Sequence, residues 1–175
     1  MSEQGHRRID RIRDPAFVEG LEELSLEELR ARRDECLVER EYLSFLRRLL
    51  QGRAEILRAE LERRAGGGGD GPLVERLAEI LAGAAPGPSR GEAVRVGLPE
   101  EEVLLARRRV ERLVSDAAIS DPTKLDDERL AEAADRLVRE EREISRIRGE
   151  VIAVLERLQG ELKRRYREDP SLVLS

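Results

Sequence analysis

Leu29, Cys36, Leu43, Leu50 and Leu57 recur at every seventh residue, and Leu130, Leu137, Ile144, Val151 and Leu158 repeat the row further along the chain. An apolar row at that spacing is a coiled-coil seam, because a helix slightly underwound to about 3.5 residues per turn keeps the row facing one partner. Composition narrows the choice further. The aromatic residues are Phe17, Tyr42, Phe45 and Tyr166, there is no Trp, and 41% of the chain is charged. Such a chain cannot fill a thick globular core. It suits long helices that share a narrow apolar seam and carry salt-bridged outer faces. The expected fold is all-α: two long helices in an antiparallel coiled-coil hairpin, with two shorter helices in the connection.

Residues 1–24 read as a flexible, charged N-terminal arm with a short apolar patch at Phe17, Val18 and Leu21. Ser25 followed by Glu28 is a capping box, in which a serine N-cap is answered by a glutamate three positions on. The helical hairpin domain is expected over 25–167. Its first long helix spans about 26–65 and ends at the glycine tract Gly66 to Gly71, which has linker composition. Short helices are expected at about 73–82, after Pro72, and at about 99–118, where Pro99 suits a first helical position. Glu100, Glu101 and Glu102 complement the positive end of that helix. Asp126 caps a second long helix over about 126–167, and 168–175 is left as a C-terminal tail.

The two long helices match without gaps at an offset of 101 residues, including Leu24 with Leu125, Glu39 with Glu140, Ser44 with Ser145, Arg47 with Arg148 and Glu55 with Glu156. The ends match as well: Glu60 and Leu61 with Glu161 and Leu162, and Arg63 and Arg64 with Arg164 and Arg165. One helix has been duplicated. The second seam row then becomes informative. It reads Leu26, Arg33, Arg40, Arg47, Ala54, Leu61 in the first helix and Asp127, Ala134, Glu141, Arg148, Leu155, Leu162 in the second. Charge therefore interrupts both seams at the same two layers. An unpaired buried guanidinium costs several kcal/mol, so an anion or water must occupy that region. The alternative is that the helices splay there or the arginines snorkel to solvent.

A polar stripe runs beside the interruption. Arg40, Ser44, Arg47, Gln51 and Glu55 lie on one face of the first helix, and Glu141, Ser145, Arg148, Ile152 and Glu156 on the second. Guanidinium forks onto phosphate or onto guanine O6 and N7, and a carboxylate accepts from guanine N1–H and N2–H. A guanine nucleotide fits this set, and two copies suit a twofold ligand.

Other classes are disfavoured. The one cysteine, Cys36, excludes an internal disulfide and lies in the apolar row. The one histidine, His6, falls in the arm, so neither a His/Cys metal cluster nor a Ser-His-Asp triad is expected, and the chain does not read as an enzyme. The glycine tract lacks a P-loop lysine. No apolar run approaches the roughly 20 residues of a membrane span, and the N-terminus lacks the apolar core of a signal peptide. The net charge of −5 speaks against direct DNA binding. A cytoplasmic protein is expected, with no metal and no membrane association.

The paired stripes resemble the RsiG family of actinobacterial anti-sigma factors, in which Glu-x3-Ser-x2-Arg-x3-Gln-x3-Asp occurs once on each helix of an antiparallel coiled coil. The stretch from Ser44 to Arg53, running on to Leu61, and that from Glu141 to Arg148 carry the likeness. The resemblance implies that Arg40, Ser44, Arg47, Gln51, Glu55, Glu141, Ser145, Arg148 and Glu156 bind cyclic di-GMP, two molecules per chain. It further implies that the loaded protein sequesters a WhiG-type sporulation sigma factor of RNA polymerase. Arg40 stands where the first motif has Glu, Ile152 where the second has Gln, and Glu55 and Glu156 where both have Asp. The competing expectation is a structural helical adaptor that binds protein partners without a nucleotide.

Overall fold

A computed structural model describes residues 3–66, 97–116 and 122–173, the side chains of 3–7 and 114–116 excepted, and among these residues it is helical without strands. The α-helices are α1 (Glu3–Arg13), α2 (Leu26–Arg64), α3 (Glu100–Asp116) and α4 (Asp127–Glu168). Short 3-10 turns are η1 (Pro15–Phe17), η2 (Leu21–Glu23), η3 (Pro122–Lys124) and η4 (Pro170–Val173). The short helix expected at 73–82 lies outside the described residues.

Local chemistry explains the ends of the long helices. Ser25 Oγ accepts from the Glu28 amide at 3.1 Å while the Glu28 carboxylate accepts from the Ser25 amide at 3.0 Å, so the capping box closes both ways. Asp126 Oδ1 accepts from the Arg129 amide at 2.8 Å. Past Arg64 the chain turns through Gly66 at φ 77°, a left-handed value that an added Cβ would oppose. Pro170, two residues past the end of α4, cannot continue the helix.

The chain divides into two compact units, the first comprising Met1–Leu43 with Arg146–Ser175 and the second Ser44–Ser145. Each contains half of α2 and half of α4. In unit 1, Leu29, Cys36 and Leu43 are buried, as are Val151, Leu155, Leu158 and Leu162. The stretch expected to be a flexible arm contributes to this core. It forms α1, η1 and η2, and it buries Ile12, Phe17, Val18 and Leu21. Its apolar residues are few but fall on one side of the turns, so the high charge around them hid a docking face. Three arginines of the long helices fasten its carbonyls: Arg32 to Phe17 at 2.6 Å, Arg157 to Val18 at 3.2 Å and Arg165 to Leu21 at 2.9 Å. The C-terminal segment is held too. Arg30 donates to the Leu172 carbonyl at 2.6 Å and to the Tyr166 hydroxyl at 3.0 Å.

In unit 2, Leu46, Leu50, Ala54 and Leu57 of α2 are buried, as are Leu130, Ala133, Ala134, Leu137 and Ile144 of α4 and Ala106 and Val110 of α3. Rising residue numbers on α2 meet falling numbers on α4: Gln51 bonds Glu141, and Arg64 bonds Asp127. All ten residues of the two heptad rows are at most 2% exposed. Burying each such side chain stabilises the fold by roughly 1.5–3 kcal/mol.

The internal contacts of the two units repeat at the offset seen in the sequence. Arg8 of α1 pairs with Glu39 at 2.5 Å, and Arg109 of α3 pairs with Glu140 at 2.6 Å. Arg64 donates to the Pro122 and Thr123 carbonyls, and Arg165 to the Leu21 and Glu22 carbonyls. Turns η2 and η3 occupy equivalent positions. The duplicated segment thus includes a short helix and a turn ahead of each long helix, and α1 is the counterpart of α3.

Candidate functional site

The polar stripe stays on one side of each long helix because its residues are spaced three or four apart. In unit 2 it forms a cluster around one carboxylate. Glu141 Oε1 accepts from Ser145 Oγ at 2.9 Å, one turn along the same helix, and from Gln51 Nε2 of α2 at 3.0 Å. Arg47 Nη1 stands 3.9 Å from the same oxygen, near enough for Coulomb attraction but too far for a hydrogen bond. The Glu141 side chain is 17% exposed and that of Arg47 is 38% exposed. Arg47 Nε is nevertheless buried and has no hydrogen-bond partner among the described residues. Leaving a buried donor unsatisfied costs about 1–3 kcal/mol, so this atom is set to gain from an incoming acceptor.

Ser44 is half-buried and Glu55 is exposed. In unit 1, Arg40 is largely buried at 12% side-chain exposure and donates to Glu41 at 3.0 Å. Arg148 and Ile152 are half-buried and Glu156 is exposed. The structure therefore gathers Glu141, Ser145, Gln51 and Arg47 within unit 2. It leaves the two outer glutamates, Glu55 and Glu156, at the solvent edge of their stripes.

Chemically, the cluster offers carboxylate acceptors, a hydroxyl, an amide that both donates and accepts, and a guanidinium that only donates. That is a recognition set for a polar, anionic molecule with its own donors. Among the described residues no three His, Cys, Asp or Glu side chains are grouped to hold a metal ion, and no helix is long and apolar enough to cross a membrane.

Reasoning from the sequence missed the Arg8–Glu39 and Arg109–Glu140 pairs. A signal was present, because Arg7 and Arg8 match Arg108 and Arg109, and Arg11 matches Arg112, at the offset of the long helices.

The family model described as RsiG-like matches residues 15–81, a stretch that contains the first stripe from Arg40 to Glu55. The match is consistent with an RsiG-family protein and suggests an anti-sigma type of role. No curated protein matches the chain.

Proposed function

We propose that this RsiG-like chain is a non-enzymatic, ligand-gated anti-sigma factor of the cytoplasm. In this reading α2 and α4 form an antiparallel coiled-coil hairpin that binds cyclic di-GMP on its polar stripes. The loaded protein then sequesters a WhiG-type sporulation sigma factor from RNA polymerase. Support for the hairpin comes from the order of contacts in unit 2, where residues 51 and 64 meet 141 and 127 in turn. The observation that carries the ligand reading is the Glu141 cluster beside an unsatisfied, buried Arg47 Nε. A phosphate oxygen satisfies that donor, and the Glu141 carboxylate matches the N1–H and N2–H donors of guanine. The ligand acts as a template, adding base and phosphate surface to a helical face that the sigma factor then grips.

Calorimetry with cyclic di-GMP, followed by capture of the sigma factor with and without the nucleotide, tests this reading. Replacing Arg47 by Ala is expected to weaken nucleotide binding by about 30-fold, the loss of one charge-assisted hydrogen bond, and sigma capture with it. Intact capture by an Arg47→Ala/Arg148→Ala double variant argues against gating. One observation favours a ligand-free adaptor: Glu141 already has two protein donors, Ser145 and Gln51. That reading predicts no heat with any guanine nucleotide and sigma capture indifferent to its presence.

A further inference from the structure

We propose that the two motif faces are unequal: the face in unit 2 reads a guanine base, its counterpart in unit 1 does not, and the chain takes one cyclic dinucleotide rather than two. This rests on the ligand reading above and concerns how many sites survive in this chain. In the sequence the departures are scattered, since Arg40 belongs to the first motif copy and Ile152 to the second. The structure regroups them. The working cluster joins Glu141 of the second copy to Gln51 of the first, at 3.0 Å. Each reading face therefore draws its carboxylate from one copy and its amide from the other.

The counterparts of Glu141 and Gln51, at the offset that relates the ion pairs, turn clamps and caps of the two units, are Arg40 and Ile152. Both lie in unit 1. The equivalence is geometric and not only a matter of alignment. It is obeyed by the Arg8–Glu39 and Arg109–Glu140 pairs, by the Arg64 and Arg165 clamps on the turns, and by the N-caps. Two substitutions that look independent have therefore removed both readers of a single face.

The chemistry of the replacements is decisive. Guanine presents N1–H and N2–H as donors on its Watson–Crick edge. A guanidinium has no acceptor to offer them, and an isoleucine side chain has no hydrogen-bonding atom. Exchange of Glu for Arg also changes the charge at this position by two, from the Glu141 carboxylate in unit 2 to the Arg40 guanidinium in unit 1. Arg40 donates to its neighbour Glu41 and is 12% exposed, so its guanidinium is held within the fold. Unit 1 keeps cationic character but has lost the base-reading pair.

The test is calorimetry of the full chain with cyclic di-GMP, with cyclic di-AMP as the base control. The unmodified chain is expected to bind one cyclic di-GMP and to ignore cyclic di-AMP. Gln51→Ile copies the unit 1 residue into unit 2 and is expected to weaken binding by at least about 10-fold, with an unchanged helical signal in circular dichroism. The reciprocal variant, Arg40→Glu/Ile152→Gln, rebuilds the lost pair and is expected to titrate with two molecules per chain. Two equivalent molecules on the unmodified chain overturn the inequality while leaving the ligand reading intact. So does a rebuilt variant that still takes one. Silence of both the unmodified and the rebuilt chain towards cyclic di-GMP defeats the ligand reading itself, and the inequality falls with it.

Discussion

Units 1 and 2 are assembled from the same parts, yet they bury their matching ion pairs to different depths. The side chains of Arg8 and Glu39 are 17% and 2% exposed, whereas those of Arg109 and Glu140 are 34% and 26% exposed. The depth of the Arg8–Glu39 pair makes it a structural element, and the shallower Arg109–Glu140 pair is closer to a surface salt bridge. The polar stripe has diverged in the same direction. Unit 1 carries Ile152 and a fastened Arg40 where unit 2 retains Gln51 and Glu141 as a hydrogen-bonded pair. After duplication, unit 1 carries Arg and Ile at positions where unit 2 holds a carboxylate–amide hydrogen bond.

The strongest challenge to this comparison is removal of the carboxylate from each pair. Glu39→Ala removes a buried carboxylate from its pair with Arg8 and is expected to cost about 3–5 kcal/mol. Glu140→Ala exposes Arg109 to water and is expected to cost about 1 kcal/mol or less. Urea unfolding of the two variants measures both; equal losses would show that depth does not distinguish the units. The caps give a smaller effect that sharpens the same comparison. Ser25→Ala and Asp126→Ala are each expected to cost about 1 kcal/mol. Ser25 should be the more sensitive, because its box with Glu28 satisfies two amides and Asp126 has Arg129 where a box needs an acid.

A pH series examines a feature the two units share. Hydrogen bonds from Arg63, then Arg64, hold the Glu60 carboxyl down at about 2, and those from Arg164, then Arg165, hold Glu161 at about 2, against an ordinary value of 4.5. A depressed native value means that the stabilisation is complete above the ordinary value and is lost as pH falls towards 2. Stability is therefore expected to decline between about pH 5 and pH 2. Glu60→Gln and Glu161→Gln should each flatten that decline to a similar degree in acid titrations followed by circular dichroism. The least perturbing probe is the thiol. Burial, with lesser contributions from Glu35 and Glu39, pushes Cys36 up to about 12. A disulfide reagent at pH 8 is expected to label Cys36 only after unfolding, and rapid labelling of the native protein would show that unit 1 opens along its seam.

Much of this molecule is written in its periodicity. The ten seam positions, the two capped long helices and the glycine end of α2 follow from residue spacing, because a helix converts sequence interval into angular position. The equivalence of Ser44 with Ser145 and of Arg47 with Arg148 is read from the sequence in the same way. Other features depend on which faces meet. An apolar patch of three residues among charges does not reveal that Phe17, Val18 and Leu21 dock while arginines from α2 and α4 clamp their carbonyls. Nor does the order of residues in each stripe pair Glu141 with Gln51. Spacing fixes the angle of a side chain about its own helix, whereas the partner it meets is set by the register between helices, which depends on packing between residues far apart in the chain. The sequence alone thus determined two like stripes of polar residues; the tertiary structure decided that their two losses lie in the same unit.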